Sequence, residues 1–152
     1  MANYRAASAA GAGSAYMSSA GNAISEDDTV TPTAALAIGD TIDLVRVAGG
    51  TRLQRLTTFN GDFDTGTTLQ FKLGYRKVDG SGVLVDVDNF FGSALTTWQA
   101  AVLGSSATQW AFAPIYFAED VYITATVTAA ATGVSGTPSI TTIAHGKAVG
   151  VK

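Results

Sequence analysis

Leu69, Phe71, Leu73 and Tyr75 alternate without a break with Gln70, Lys72, Gly74 and Arg76. Successive side chains of an extended chain point to opposite faces, so this stretch places large apolar groups on one side and polar groups on the other. That is the pattern of an antiparallel strand with one face on a core and one face wet. The period recurs at Val121, Ile123, Ala125 and Val127, which alternate with Tyr122 and a ladder of Thr124, Thr126 and Thr128. Leu69, Phe71, Leu73, Tyr75, Val121, Ile123 and Val127 are therefore expected in the core.

Turn residues divide the remainder into short β-type runs. Thr41 to Val47 is rich in β-branched residues and stops at Gly49-Gly50, and Thr51 to Phe59 stops at Asn60-Gly61. Leu53, Leu56 and Phe59 are three apart, which fits a helix or a bulged strand, and the flanking glycines with Thr57-Thr58 favour the strand. Asp79-Gly80 and Gly82 turn the chain into Val83 to Val87 as a hairpin, Trp110 and Phe112 alternate up to Pro114, and a last strand runs from about Ser139 to Val151. One helix is expected over Asp88 to Leu103, where Phe91, Leu95, Trp98 and Val102 share a helical face, Ser93 offers a later N-cap and Gly104 a stop.

The fold class expected is an all-β, jelly-roll-like antiparallel β-sandwich with one short helix and an extended N-terminal arm. Residues 1–35 form the arm and 36–152 the sandwich. The arm begins as an Ala/Ser/Gly stretch in which Arg5 is the sole charge, and it ends in an acidic turn, Glu26-Asp27-Asp28, before Pro32. Such a composition suits either a disordered tail or an arm that orders on a neighbouring subunit. In the second case Tyr4 and Tyr16, its only aromatic residues, are the anchors, with Arg5 beside them.

Composition narrows the chemistry. The 152 residues include no Cys, one His and only 14% charged residues, against roughly 25% in ordinary soluble chains. Thiol catalysis, disulfides and His-pair zinc sites are excluded. The 26 Ala and 20 Thr make a neutral surface of the kind that partners cover. A net charge of −3 with scattered Lys and Arg argues against nucleic acid. No apolar run nears the ~20 residues that span a bilayer, and no compact apolar leader is evident, so the chain is expected to act without crossing a membrane.

Phe63-Asp64-Thr65-Gly66-Thr67 contains the Asp-Thr-Gly triplet of aspartic proteases, and Val102-Leu103-Gly104 mimics their accompanying apolar-apolar-Gly element. The residues before the triplet, Asn60-Gly61-Asp62, are turn formers rather than a buried strand end, so a turn built on Asp64 is the reading adopted. Asp62 with Asp64, and Asp86 with Asp88, have a spacing that can present carboxylates to Ca²⁺, but neither pair supplies a third acid. They read as loop acids, or as helix-start acids for Asp86 and Asp88. His145 has no nucleophile at local spacing, and Gly11 to Gly13 lacks a phosphate-loop ending. No catalytic, cofactor-binding or metal-binding residue is assigned.

Gly39-Asp40-Thr41-Ile42-Asp43-Leu44, Gly50-Thr51-Arg52-Leu53, Leu69 to Arg76, and Phe117-Ala118-Glu119-Asp120-Val121 to Val127 together resemble small head proteins of tailed double-stranded-DNA bacteriophages, in particular their capsid decoration, or cement, proteins. The resemblance covers about residues 36 to 128. It implies a non-enzymatic structural protein, made in the host cytoplasm, that sits on the capsid exterior of the virion. There it clamps neighbouring major capsid subunits, commonly as a homotrimer, and so stabilises the head. Tyr4, Arg5 and Tyr16 are the expected capsid or subunit contacts. Two other readings stay open: a different virion component such as a head fiber base, tail or adaptor protein, and a carbohydrate-binding jelly roll stacking sugars on Tyr116, Tyr122, Trp98 or Trp110.

Overall fold

The computed structural model describes residues 2–5, 23–79, 86–101, 107–134 and 136–150. Its strands are β1 (Asn3–Arg5), β2 (Ala23–Val30), β3 (Thr41–Val47), β4 (Thr51–Asn60), β5 (Gln70–Lys77), β6 (Val87–Leu95), β7 (Thr108–Trp110), β8 (Ile115–Phe117), β9 (Val121–Ala129) and β10 (Ile140–Ala148). They form one sheet in the order β1-β3-β9-β5-β6 and a second in the order β2-β10-β4-β7, with β8 also on β4. Counted inwards from the two ends of the chain, β2 pairs with β10, β3 with β9, β4 with β7 and β5 with β6, all antiparallel. Nested pairing of this kind, laid alternately in two facing sheets, is the jelly-roll winding. Among the described residues only β1, which lies along β3, is parallel to its neighbour.

The core fills the space between the sheets. Leu69, Phe71, Leu73, Tyr75, Val121, Ile123 and Val127 are all buried there, with Ile42, Leu44 and Val45 of β3 and Leu53 and Leu56 of β4. Trp98 stacks on Phe71 at 3.8 Å between ring centroids. The irregular spacing in β4 is a bulge: Leu53 faces Gly146 and Arg55 faces His145, leaving Gln54 as the extra residue. Inward positions before and after it are thereby kept on the core.

Two expectations need correction. Residues 23–30 are not part of an arm, and Glu26-Asp27-Asp28 is not a turn: the segment is β2, paired with β10 over eight positions from Ala23↔Lys147 to Val30↔Ile140. Ile24, Glu26 and Val30 point inwards and are buried. Acids suit an edge strand because they discourage pairing with another chain, and that polarity hid the strand. Leu36 is also buried, and its carbonyl accepts the Ala131 N–H at 3.0 Å. Residues 6–22 lie outside the described residues.

Over its described part, residues 88–101, the expected helix is instead a strand followed by a 3-10 turn, Thr97–Gln99. Asn89, Gly92 and Ser93 are poor helix formers. The helical-looking spacing comes from bulges: Leu95, Gly92 and Val87 face Phe71, Leu73 and Tyr75, so unequal lengths of β6 are matched to equal steps of β5. Ala94, at φ 52, takes up part of the slack. Val102 to Ser106 and the turn at Gly80–Val85 lie outside the described residues.

Candidate functional site

Charged side chains collect on the outer face of the first sheet. Asp43, Thr124 and Gly74 lie in register there, as do Arg46, Tyr122 and Arg76 one step along. The Arg76 guanidinium reaches diagonally to Asp43, with Nε donating to Oδ1 at 2.9 Å and Nη2 to Oδ2 at 2.5 Å. The Thr124 hydroxyl donates to the same carboxylate at 3.0 Å, and Arg76 lies 4.9 Å over the Tyr122 ring. Asp43 is fully buried, and these contacts supply the hydrogen bonds that a buried carboxylate needs. At the same end Arg46 pairs with Asp120, which also accepts the Gly49 N–H at 2.7 Å. The pKa of Asp120 is lowered from its ordinary value: burial opposes ionisation, but the Gly49 N–H and Arg46 outweigh it.

Residues 86–89 overhang this face and enclose a groove of about 440 Å³ floored by Thr41, Thr124 and Thr126. Its charged groups are already engaged: Lys72 pairs with Asp88 at 3.0 Å, and Asp86 accepts the Lys77 N–H at 2.8 Å. The groove presents hydroxyls and one amide, Asn89, and the ion pairs serve to hold strands together. Asp86 and Asp88 are thus tied to β5, in place of the helix start expected of them.

Asp64 is a loop tie of a different kind. It is 1% exposed, and its carboxylate accepts the N–H groups of Gly66, Thr68, Leu69 and Thr132 at 3.1, 2.6, 2.7 and 2.8 Å. Burial pushes its pKa up, but the four backbone donors prevail and hold it well below the usual carboxylate range. The Asp-Thr-Gly triplet therefore builds a turn, as read from its flanks, and fastens it to the β9–β10 connection. Asp62 caps the same loop by accepting the Asp64 N–H at 3.0 Å. Among the described residues no group of three or more His, Asp or Glu is placed to hold a metal ion, and no helix is long and apolar enough to cross a membrane.

The expected contact residues are placed as follows. Tyr4 is half-buried against the core, opposite Ile42 in the β1–β3 pair. Arg5 lies in β1 opposite Asp43, and Tyr16 lies outside the described residues. Asp40 fastens β1 by accepting the Ala2 N–H at 2.7 Å while its other oxygen accepts the Ala37 N–H at 2.9 Å. The sequence reading passed over Asp40, Asp43 and Asp120. For Asp43 a signal existed, since an acid between Ile42 and Leu44 in a β-branched run needs a buried partner.

The aromatic residues proposed for sugar stacking serve other ends. Trp98 is wholly buried, Trp110 donates to the Thr58 hydroxyl at 3.2 Å, and Tyr122 is buried beneath Arg76. The Tyr116 hydroxyl donates to the Gly150 carbonyl at 3.0 Å. His145 sits half-buried on β10, facing Ser25 of β2 and Arg55 of β4.

No family model and no curated protein matches the chain. Solved structures do. A chain in the capsid of Ralstonia phage GP4 superposes with a TM-score of 0.71 at 19% identity, over 95% of this chain and 97% of that one. A chain in the capsid asymmetric unit of cyanophage Pam1 gives 0.64 at 19% identity, over 91% and 94%. One in the acid-stable capsid of Helicobacter pylori bacteriophage KHP30 gives 0.53 at 12%, over 82% and 86%. The likeness is one of fold, a jelly-roll sandwich shared over nearly its whole length.

Proposed function

We propose that this chain is a non-enzymatic structural protein of a tailed-phage virion, made in the host cytoplasm and bound to the outside of the capsid. There it clamps neighbouring major capsid subunits and associates with copies of itself, as a homotrimer. The observation that carries the reading is the near end-to-end fold match to chains found in phage capsids. The physical role is consistent with it. A binder that spans two subunits stabilises their contact, because separating them must also break its own contacts, and weak contacts repeated in an array reinforce one another. Arg5 and Tyr16 are the arm residues assigned to the capsid, and Tyr4 secures the base of the arm.

Copy number and position test the reading together. Virions of the phage that carries this chain are expected to hold it in hundreds of copies, distributed over the head surface by electron microscopy. Particles lacking it should release their DNA at a lower temperature. Its presence in a handful of copies at the neck or tail would make it an adaptor or tail component, and its absence from purified particles would overturn the proposal.

A further inference from the structure

The thirty residues from Asn89 to Ala118 contain no Asp, Glu, Lys, Arg or His, although they hold half of the chain's aromatic residues. Those described form one flank of the sandwich. β6 is the outer strand of the first sheet, and β7 and β8 lie along the outer side of β4 in the second. Phe90, Phe91 and Phe112 bridge the two sheets, with ring centroids 4.8 to 6.4 Å apart. Phe90 remains 37% exposed, and Ala94, Ala111, Ala113 and Pro114 of the same stretch are exposed.

We infer that this charge-free flank is where a second copy of the same chain docks. A surface that meets its own copy near a symmetry axis brings each charge close to an identical one, which is repulsive. A self-contact therefore favours a strip without charges. Three of the other described surfaces are poorer in this respect. The edge at β2 carries Asp27 and Asp28, the outer face of the first sheet carries its ion pairs, and the outer face of the second carries Arg52, Arg55 and Lys147. The flank is also an edge without the Lys or Glu that usually guards one. Ala94 at φ 52 and the bulges of β6 interrupt its ladder, so the contact is made by side chains, with Phe90 as the anchor.

This assigns a surface to the self-association in the proposal above, yet it is tested with no particle present. The purified full chain, weighed by sedimentation at up to about 100 µM, a range in which ordinary interfaces associate, is expected to exceed its monomer mass of 15.5 kDa. Phe90→Glu and Phe90→Lys, each folded by circular dichroism, should weaken association by about 100-fold or more. Mixing the two should restore it, because opposite charges then meet. If the Phe90 variants fail to fold, Ala113→Glu and Ala113→Lys at an exposed position repeat the comparison. A monomeric wild-type chain, or charged variants that keep the wild-type mass, would overturn the inference. A monomeric chain whose Ala113→Glu variant no longer binds particles would assign the flank to the shell subunit instead. Normal self-association in a chain absent from virions would sink the virion reading alone.

Discussion

Asp64 and Asp43 show two ways of keeping a carboxylate inside a chain with few charges. Asp64 is stabilised by four backbone N–H groups, and replacing it with Ala leaves these donors without their acceptor. We expect Asp64→Ala to destabilise the fold by roughly 3–5 kcal/mol, read from urea unfolding. Its pKa in the folded chain lies below the ordinary ~3.9, so the unfolded chain binds more protons in acid. The contribution is complete above about pH 5 and is lost as pH falls below about 4. The gap in melting temperature between wild type and Asp64→Asn should therefore narrow on acidification. A constant gap down to pH 2 would show that the carboxylate charge is not what holds the loop. Asp43 relies on a side chain instead. Arg76→Ala leaves a wholly buried carboxylate without its bidentate cation, at an expected cost of about 3–5 kcal/mol. Arg76→Lys should recover only part of this, because one ammonium cannot reproduce the fork.

At the scale of elements, strands with neighbours on both sides were the legible ones. β5 and β9 are central in their sheet and bury one regular face, so alternation located them and their core residues. The Leu53–Leu56 interval matches the bulge in β4, whereas Phe59, opposite Thr141, falls on the outer face. Two edge strands, β2 and β6, were not legible. β2 carries acids where a central strand carries Val or Ile, and β6 is so strongly bulged that its apolar spacing imitates a helix. The polar ties were harder still, since Asp43, Arg76 and Thr124 are brought together only by strand register. Gly74 is the point where the path of β6 depends on one residue. A Cβ there would lie 2.0 Å from the Val87 carbonyl oxygen and 2.4 Å from the Asp88 carbonyl carbon, both backbone atoms that cannot turn aside. Gly74→Ala should push β6 away and cost about 1–3 kcal/mol. It should also increase hydrogen exchange in 87–91 more than in β9. Uniform loosening of both strands would instead mean that β5 itself had been displaced.

For the whole molecule, the question is which N-terminal residues the sandwich needs in order to fold. The jelly-roll winding includes β2, because β10 takes one of its two neighbours from it and Ile24 and Val30 close that side of the core. By contrast, β1 adds three residues on one edge, held by the Asp40–Ala2 contact and the Thr41 N–H to the Ala2 carbonyl. Removing residues 1–22 should therefore leave a cooperatively folding sandwich whose melting temperature falls by only a few degrees, as expected for a loss of about 1–2 kcal/mol. Removing residues 1–30 deletes a strand of the winding, and the remainder should show no cooperative transition. This difference decides how the arm can be tested: loss of particle binding after the longer deletion would report only unfolding, whereas the shorter deletion isolates the arm. If the arm contributes to the clamp, the chain lacking residues 1–22 should keep the solution mass of the full chain but dissociate from particles and no longer protect them from heat. Equal binding and equal heat protection would instead place the clamping contacts on the sandwich itself.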